Sequence, residues 1–244
     1  MAGHGHYLVL GAGGLGCPAL LGLVAAGAGA ITLVDHDVVD ASNLQRQVLY
    51  TLADVGMAKV DAARLRLRAR DPALQLRPLR LRLDADNLDA LLAAQPPDTI
   101  VLECSDSPVL KFLVNDTCLS RQLPLVVAGV QRWRGQVQAV VRGHACLRCM
   151  FEAPPPAELA EPCSAVGVMG AAAGLLGFWM AHLAVALRAG SDCAGELWAI
   201  DGRTMLPQVL RPRPRAGCPA CAHAGESALA SAADVAARAQ AQAP

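Results

Sequence analysis

A chain of 244 residues, 54% of them hydrophobic, can bury a substantial core in one α/β domain. Its 21 basic and 21 acidic side chains cancel, so no global field draws it to nucleic acid or to an anionic membrane. The nine cysteines point to metal binding rather than a disulfide framework. The apolar segment 15–30 has no Lys or Arg ahead of it, so it is not read as a secretory signal and a cytoplasmic location is expected.

In chain order, residues 6–10 are a short apolar strand ending in the glycine-rich turn 11–16. Residues 17–26 suit a buried helix, and 30–34 form a second strand closed by Asp35. The right-handed crossover rule makes these two strands parallel neighbours in one sheet. Residues 59–70 read as an amphipathic helix stopped by Asp71-Pro72. Arginines gather between Arg64 and Arg82 but alternate with leucine, as on solvated faces. Leu79, Leu81 and Leu83 alternate with polar residues, which predicts a strand with one buried face. A short helix over 86–94, a strand over 99–102, a helix over 109–120 and a strand over 125–128 continue the alternation. The pattern predicts a Rossmann-like, doubly wound, mostly parallel sheet.

After Gly129 the pattern changes. Residues 135–141 alternate as in an antiparallel strand, 154–162 are a Pro-rich loop, and 196–200 form another strand. The Gly/Ala-rich segment 165–187 carries no formal charge and is long enough to span a bilayer. Its small residues, set late in an α/β chain, instead predict a helix packed closely inside the protein, with His182 in the core. Residues 222–244 are an Ala-rich tail with little to bury. The expected organisation is a single domain over 1–221, with a nucleotide core at 6–130, an antiparallel and crossover part at 131–221, and the tail.

Gly11, Gly13, Gly14 and Gly16 fall between a strand and a helix, where glycine lets the backbone turn tightly against phosphate oxygens at a helix N-terminus. Asp35 stands where a carboxylate can accept from ribose hydroxyls. These residues alone specify only a nucleotide. Just beyond, Asp37, Ser42, Asn43, Arg46 and Gln47, with Lys59 at the next helix start, form a polar, cationic set for which a dehydrogenase has no use. Charge on a breaking triphosphate needs such a set. Arg46 offers a planar fork and Lys59 a point charge. Asp106, after the 99–102 strand, suits a Mg²⁺ ion held on the phosphates. Arg46, Lys59 and Asp106 are therefore expected to converge over the glycine turn.

Together, GAGGLGCPA, Asp35-x-Asp37, SNLQRQ, Lys59 and Asp106 resemble the adenylating superfamily of ThiF, MoeB, HesA and the ubiquitin-activating enzymes, over about residues 7–188. The resemblance implies ATP–Mg²⁺ rather than NAD, with ATP contacts from Gly14, Asp35, Asn43, Arg46, Lys59 and Asp106. It also implies adenylation of the C-terminal Gly-Gly carboxylate of a small ubiquitin-like sulfur carrier, a homodimer, and a sulfurtransferase as a further partner.

Cys146-x-x-Cys149 and Cys218-x-x-Cys221 offer two thiolate pairs, enough to close a tetrahedral, structural Zn²⁺ site. The same double knuckle marks ThiF- and MoeB-type relatives and is lacking in the related tRNA-cyclising dehydratases. Cys163 matches a family cysteine in a crossover loop, placed to attack the acyl-adenylate. Two departures accompany the resemblance. The chain begins almost at its first strand, where family members carry a helix with an arginine that reaches the neighbour's ATP. The Gly/Ala helix also reads GFWMAH where relatives have Gln-Ala and then Glu. Alternatives are a carrier-binding scaffold without turnover and an NAD-linked oxidoreductase.

Overall fold

The computed structural model describes residues 4–156, 167–204 and 206–221. Strands β1 (His6–Leu10), β2 (Ala30–Val34), β3 (Gln75–Leu79), β4 (Ile100–Glu103), β5 (Leu125–Gln131), β6 (Arg134–Val140), β7 (Leu197–Asp201) and β8 (Leu206–Leu210) form one sheet. Its order is β3-β2-β1-β4-β5-β6-β7-β8. The first five strands run parallel, and β6, β7 and β8 extend the sheet antiparallel. Helices α1 (Gly16–Ala25), α2 (Lys59–Arg68), α3 (Leu88–Ala93), α4 (Pro108–Ser120), α5 (Leu147–Met150) and α6 (Gly170–Arg188) cover both faces.

The period-2 geometry of a strand divides the core. Tyr7, Val9, Ile31 and Leu33 face α1, α2 and α6, packing with Leu20, Leu67 and Met180. Leu8, Leu10, Val34 and Val101 face the opposite way, onto Leu88, Leu92, Val114 and Cys118 of α3 and α4. Strands buried on both faces need continuous apolar sequence, which is why β1 and β2 read as runs and not as alternations. Each fully buried leucine here contributes about 1.5–3 kcal/mol.

Helix α6 is long and apolar enough to cross a bilayer, yet its Leu176, Gly177, Met180, Ala181 and Ala184 are buried against α1 and the sheet. A Cβ on Gly177 would lie 2.3 Å from Pro18 Cγ and 2.4 Å from the Leu15 carbonyl oxygen, so glycine alone permits this approach. His182, expected in the core, is exposed, with its ring edge-on to Trp179 at 6.4 Å. A helix this uniformly small and apolar gives no polar stripe from which to read the outward face.

The strand expected around Leu79–Leu83 lies earlier, at Gln75–Leu79. Pro78 is tolerated because β3 is an edge strand. Leu81 and Leu83 instead leave the sheet and pack on the second core cluster. Strand β8, exposed along its whole length, has no buried face to betray it in sequence. The Ala-rich tail lies outside the described residues.

Helix α6 ends where Arg188 donates to the carbonyls of His6 (2.8 Å) and Asp98 (3.0 Å). Beside it, the His6 ring lies between Thr99 Oγ1 (2.8 Å) and Thr32 Oγ1 (3.0 Å). Burial lowers the His6 pKa, so below about 6.5 the unfolded chain takes a proton that the folded ring resists. Its contribution is complete above that pH and is lost as pH falls. The urea midpoint should therefore drop between pH 7 and 5, and drop less in His6→Gln; equal slopes for the two proteins would refute this.

Candidate active site

The C-terminal ends of β1, β2 and β4 open on one cleft of about 1310 Å³, at the point where strand order reverses. Gly11, Gly13, Gly14, Asp35, Asp37, Asn43, Arg46, Gln47, Lys59 and Asp106 all line it. The three groups expected to converge, Arg46, Lys59 and Asp106, are thus in one cavity.

The glycine turn enters α1 with no side-chain cap and no acidic residue in the first turn, leaving helix N–H groups for an anion. Gly16 does not line the cleft. A Cβ there would stand 2.0 Å from the Gly11 carbonyl oxygen, so its role is to let helix and turn meet. Asp35 accepts from the Ala12 N–H at 2.7 Å and from the Asp37 N–H at 2.8 Å. Lys59 Nζ donates to Asp37 Oδ2 at 2.8 Å, with the lysine side chain 7% exposed and the aspartate 51%. Burial works to raise the Asp37 carboxyl, but Lys59 outweighs it and holds it below the ordinary carboxylate range.

Arg46 Nη2 donates to Asn43 Oδ1 at 2.6 Å. Because that acceptor is neutral, the guanidinium charge stays available to a ligand. Ser42 turns away from the cleft: its N–H and hydroxyl bond to Asp40 at 2.7 and 2.6 Å, capping the 3₁₀ turn Ala41–Asn43. Gln47 is buried, and its Oε1 has no partner among the described residues, an orphan acceptor that a bound group would satisfy. Asp106 is exposed in the loop between β4 and α4 and has no hydrogen-bond or ion-pair partner among the described residues. That leaves both oxygens for a hard cation. Asp35, His36 and Asp37 also bring ligating atoms within 4.8 Å of one another, but backbone N–H groups and Lys59 already occupy the two carboxylates.

Sequence reading missed Tyr50, Arg82, Lys111 and Arg134. The last three are cleft-lining cations whose neighbours in sequence give no motif. The buried Tyr50 hydroxyl lies 3.0 Å from the Ala12 carbonyl and 3.2 Å from that of Lys59, sharing one proton between them.

On the sheet face covered by α3 and α4, the Sγ atoms of Cys146, Cys149, Cys218 and Cys221 lie within 4.8 Å of one another. The separations are 3.9 Å for Cys146–Cys149, 3.7 Å for Cys146–Cys218 and 3.4 Å for Cys149–Cys221. A tetrahedron with Zn–S bonds of about 2.3 Å has edges of about 3.8 Å, so the four sulfurs fit that ion. Burial pushes the Cys146 thiol up to about 12. Burial works the same way on Cys149, but hydrogen bonds led by the Arg215 N–H, at 3.3 Å, bring it to about 7. Cys163 lies outside the described residues.

Residues 2–220 match the model of the ThiF family. The chain is 38% identical over 211 residues to the adenylyltransferase and sulfurtransferase MOCS3 of Danio rerio, covering 85% of this chain and 45% of that protein. It is 34% identical over 227 residues to the SAMP-activating enzyme E1 of Haloferax volcanii, covering 92% and 83%. The chain thus spans about half the length of the MOCS3 relatives and most of the archaeal one. Among solved structures, E. coli MccB with ATP is similar at a TM-score of 0.75 and 22% identity, over 88% of this chain and 66% of that one, a likeness of fold.

Tyr50→Phe should cost about 1 kcal/mol of unfolding free energy by urea titration, the usual worth of one buried hydrogen bond. An unchanged midpoint would show that the hydroxyl binds neither carbonyl.

Proposed function

The chain belongs to the ThiF family, and on that premise we propose that it adenylates the C-terminal glycine carboxylate of a ubiquitin-like sulfur-carrier protein of the ThiS or MoaD kind. The adenylation unit is residues 1–221, with its ATP-binding core at 6–130. The observation that carries this reading is the single cleft holding Arg46, Lys59 and Asp106 over the uncapped start of α1.

A carrier carboxylate oxygen attacks the α-phosphorus of ATP. The bond to the β-phosphate oxygen breaks, and pyrophosphate departs with that electron pair. Gly13, Gly14 and the start of α1 present N–H groups to phosphate oxygens. Asp35, already holding Ala12 and Asp37, faces the ribose. Arg46 stabilises charge where it grows, on the α-phosphate and the leaving group. Lys59, fixed by Asp37, adds a second cation. Asn43 fixes the Arg46 fork and Gln47 offers its orphan carboxamide oxygen to the nucleotide. Asp106 would hold Mg²⁺, which when bound neutralises the pyrophosphate. Cys163 takes no part in this step and serves later acyl transfer, with sulfur supplied by a sulfurtransferase partner. Leu52, Leu175 and Phe178 are exposed apolar side chains that a second copy would cover, so the unit is read as a homodimer.

ATP–pyrophosphate exchange with a purified Gly-Gly-ended carrier tests the reading. The wild type should exchange, and Arg46→Ala should lose about 10²–10³-fold in rate, the usual effect of removing one charge-stabilising donor. No exchange with any such carrier, or an Arg46→Ala variant at wild-type rate, would overturn it.

The four cysteines would hold one Zn²⁺ with no open position, a site that stabilises rather than catalyses. Native mass spectrometry should show one zinc per chain, lost in Cys149→Ser/Cys221→Ser along with thermal stability. A stably folded chain without metal would rule the site out.

A further inference from the structure

Lys111 lies one turn into α4, lines the cleft, and has its side chain 14% exposed. Its ammonium pairs with the carboxylate of Glu103, which is fully buried at the end of the central strand β4, and donates to the Ser105 carbonyl at 2.6 Å. The other Glu103 oxygen accepts from the Ser105 N–H at 3.0 Å. Both backbone groups of Ser105 are therefore fixed by one buried ion pair. On the far side of Asp106, Ser107 caps α4 by accepting from the Leu110 N–H at 3.2 Å, and its own N–H reaches Ser105 Oγ at 3.3 Å. Asp106 itself has no hydrogen-bond or ion-pair partner among the described residues, so its backbone is clamped on both sides while its carboxylate stays available.

We propose that Lys111 and Glu103 are positioning residues that aim the Asp106 carboxylate at a nucleotide-bound divalent cation. A free carboxylate on a slack loop would lose entropy each time it met the ion; the clamp removes that cost before the ion arrives. The competing account is that Lys111 merely neutralises a buried carboxylate. Under that account, replacing both partners with apolar residues leaves no buried charge unpaired and restores function. Under positioning it does not, because Ser105 still loses its two partners. The assignment of the cation to Asp106 rests on the nucleotide-binding part of the adenylation reading.

The test is calorimetric titration of the full chain with a non-hydrolysable ATP analogue across a Mg²⁺ series, which needs no carrier and no turnover. In the wild type, Mg²⁺ should tighten analogue binding. Lys111→Met should raise the Mg²⁺ concentration for half-maximal effect by about tenfold, the lower end for loss of an outer-shell partner of a metal ligand, while Lys111→Arg keeps the wild-type response. Glu103→Leu/Lys111→Leu should be folded by circular dichroism and retain the tenfold defect. Lys111→Met added to Asp106→Asn should weaken the response no further, since the lysine acts through the aspartate. Recovery in the double leucine variant, an additive loss with Asp106→Asn, or a wild type indifferent to Mg²⁺ would each overturn the proposal. A wild type that binds analogue with Mg²⁺ but fails pyrophosphate exchange would sink the adenylation reading and leave this one standing.

Discussion

The site depends on a closed circuit of hydrogen bonds. The Asp35 carboxylate, at the end of β2, holds the Ala12 N–H of the glycine turn and the Asp37 N–H. Asp37 holds the Lys59 ammonium. The Lys59 carbonyl shares the Tyr50 hydroxyl with the Ala12 carbonyl, which closes the ring. Turn, carboxylates and lysine therefore cannot move independently. Each member is satisfied by another, so the site exists before any ligand enters, the condition under which fixed dipoles and charges act most strongly on a reacting group.

Lys59 and Arg46, two of the cations lining the cleft, are held differently, and this decides what each can do. Lys59 is almost fully buried, where a lone ammonium would be expensive, and Asp37 offsets that cost. Since Asp37 is half exposed, water screens the pair, and a polyanion can still share the lysine. Among the described residues Arg46 has only the neutral amide of Asn43 for a side-chain partner, so its full charge remains while its plane is fixed. The guanidinium thus carries the larger uncompensated charge, and the lysine the better-defined position.

Features set by local chemistry were legible in the sequence. The glycine turn, the Asp35 position, the parallel half of the sheet and the two C-x-x-C turns follow from motifs a few residues long. What was illegible depends on partners far apart in the chain. Tyr50 becomes informative only when Ala12, 38 residues away, meets it. Lys111 shows no motif because its partner Glu103 is the last residue of an apolar strand. The misplaced third strand has the same origin. Leu79, Leu81 and Leu83 alternate, but the sheet takes only Leu79, since pairing with β2 ends at Val34–Leu79. Ser42, which sequence alone grouped with the ligand-facing residues, is claimed by Asp40 two positions earlier, a local turn winning over a distant site.

Helix α4 joins the two centres of the molecule. Its first turn carries the Ser107 cap and Lys111, against the loop of Asp106. Beyond it, Asn115 Oδ1 accepts from the Leu147 N–H at 3.0 Å, and Asp116 pairs with Arg148 at 2.8 Å, both partners lying between Cys146 and Cys149. From Lys111 to Asn115 is about 6 Å of helix axis at 1.5 Å per residue. A short helix with Val114 and Cys118 fully buried transmits displacement rather than absorbing it, because close-packed interiors yield little. The cysteine turn and the Asp106 loop thus share one rigid support: Asn115 and Asp116, midway along α4, hold the 146–149 turn, and the first turn of the same helix holds the loop.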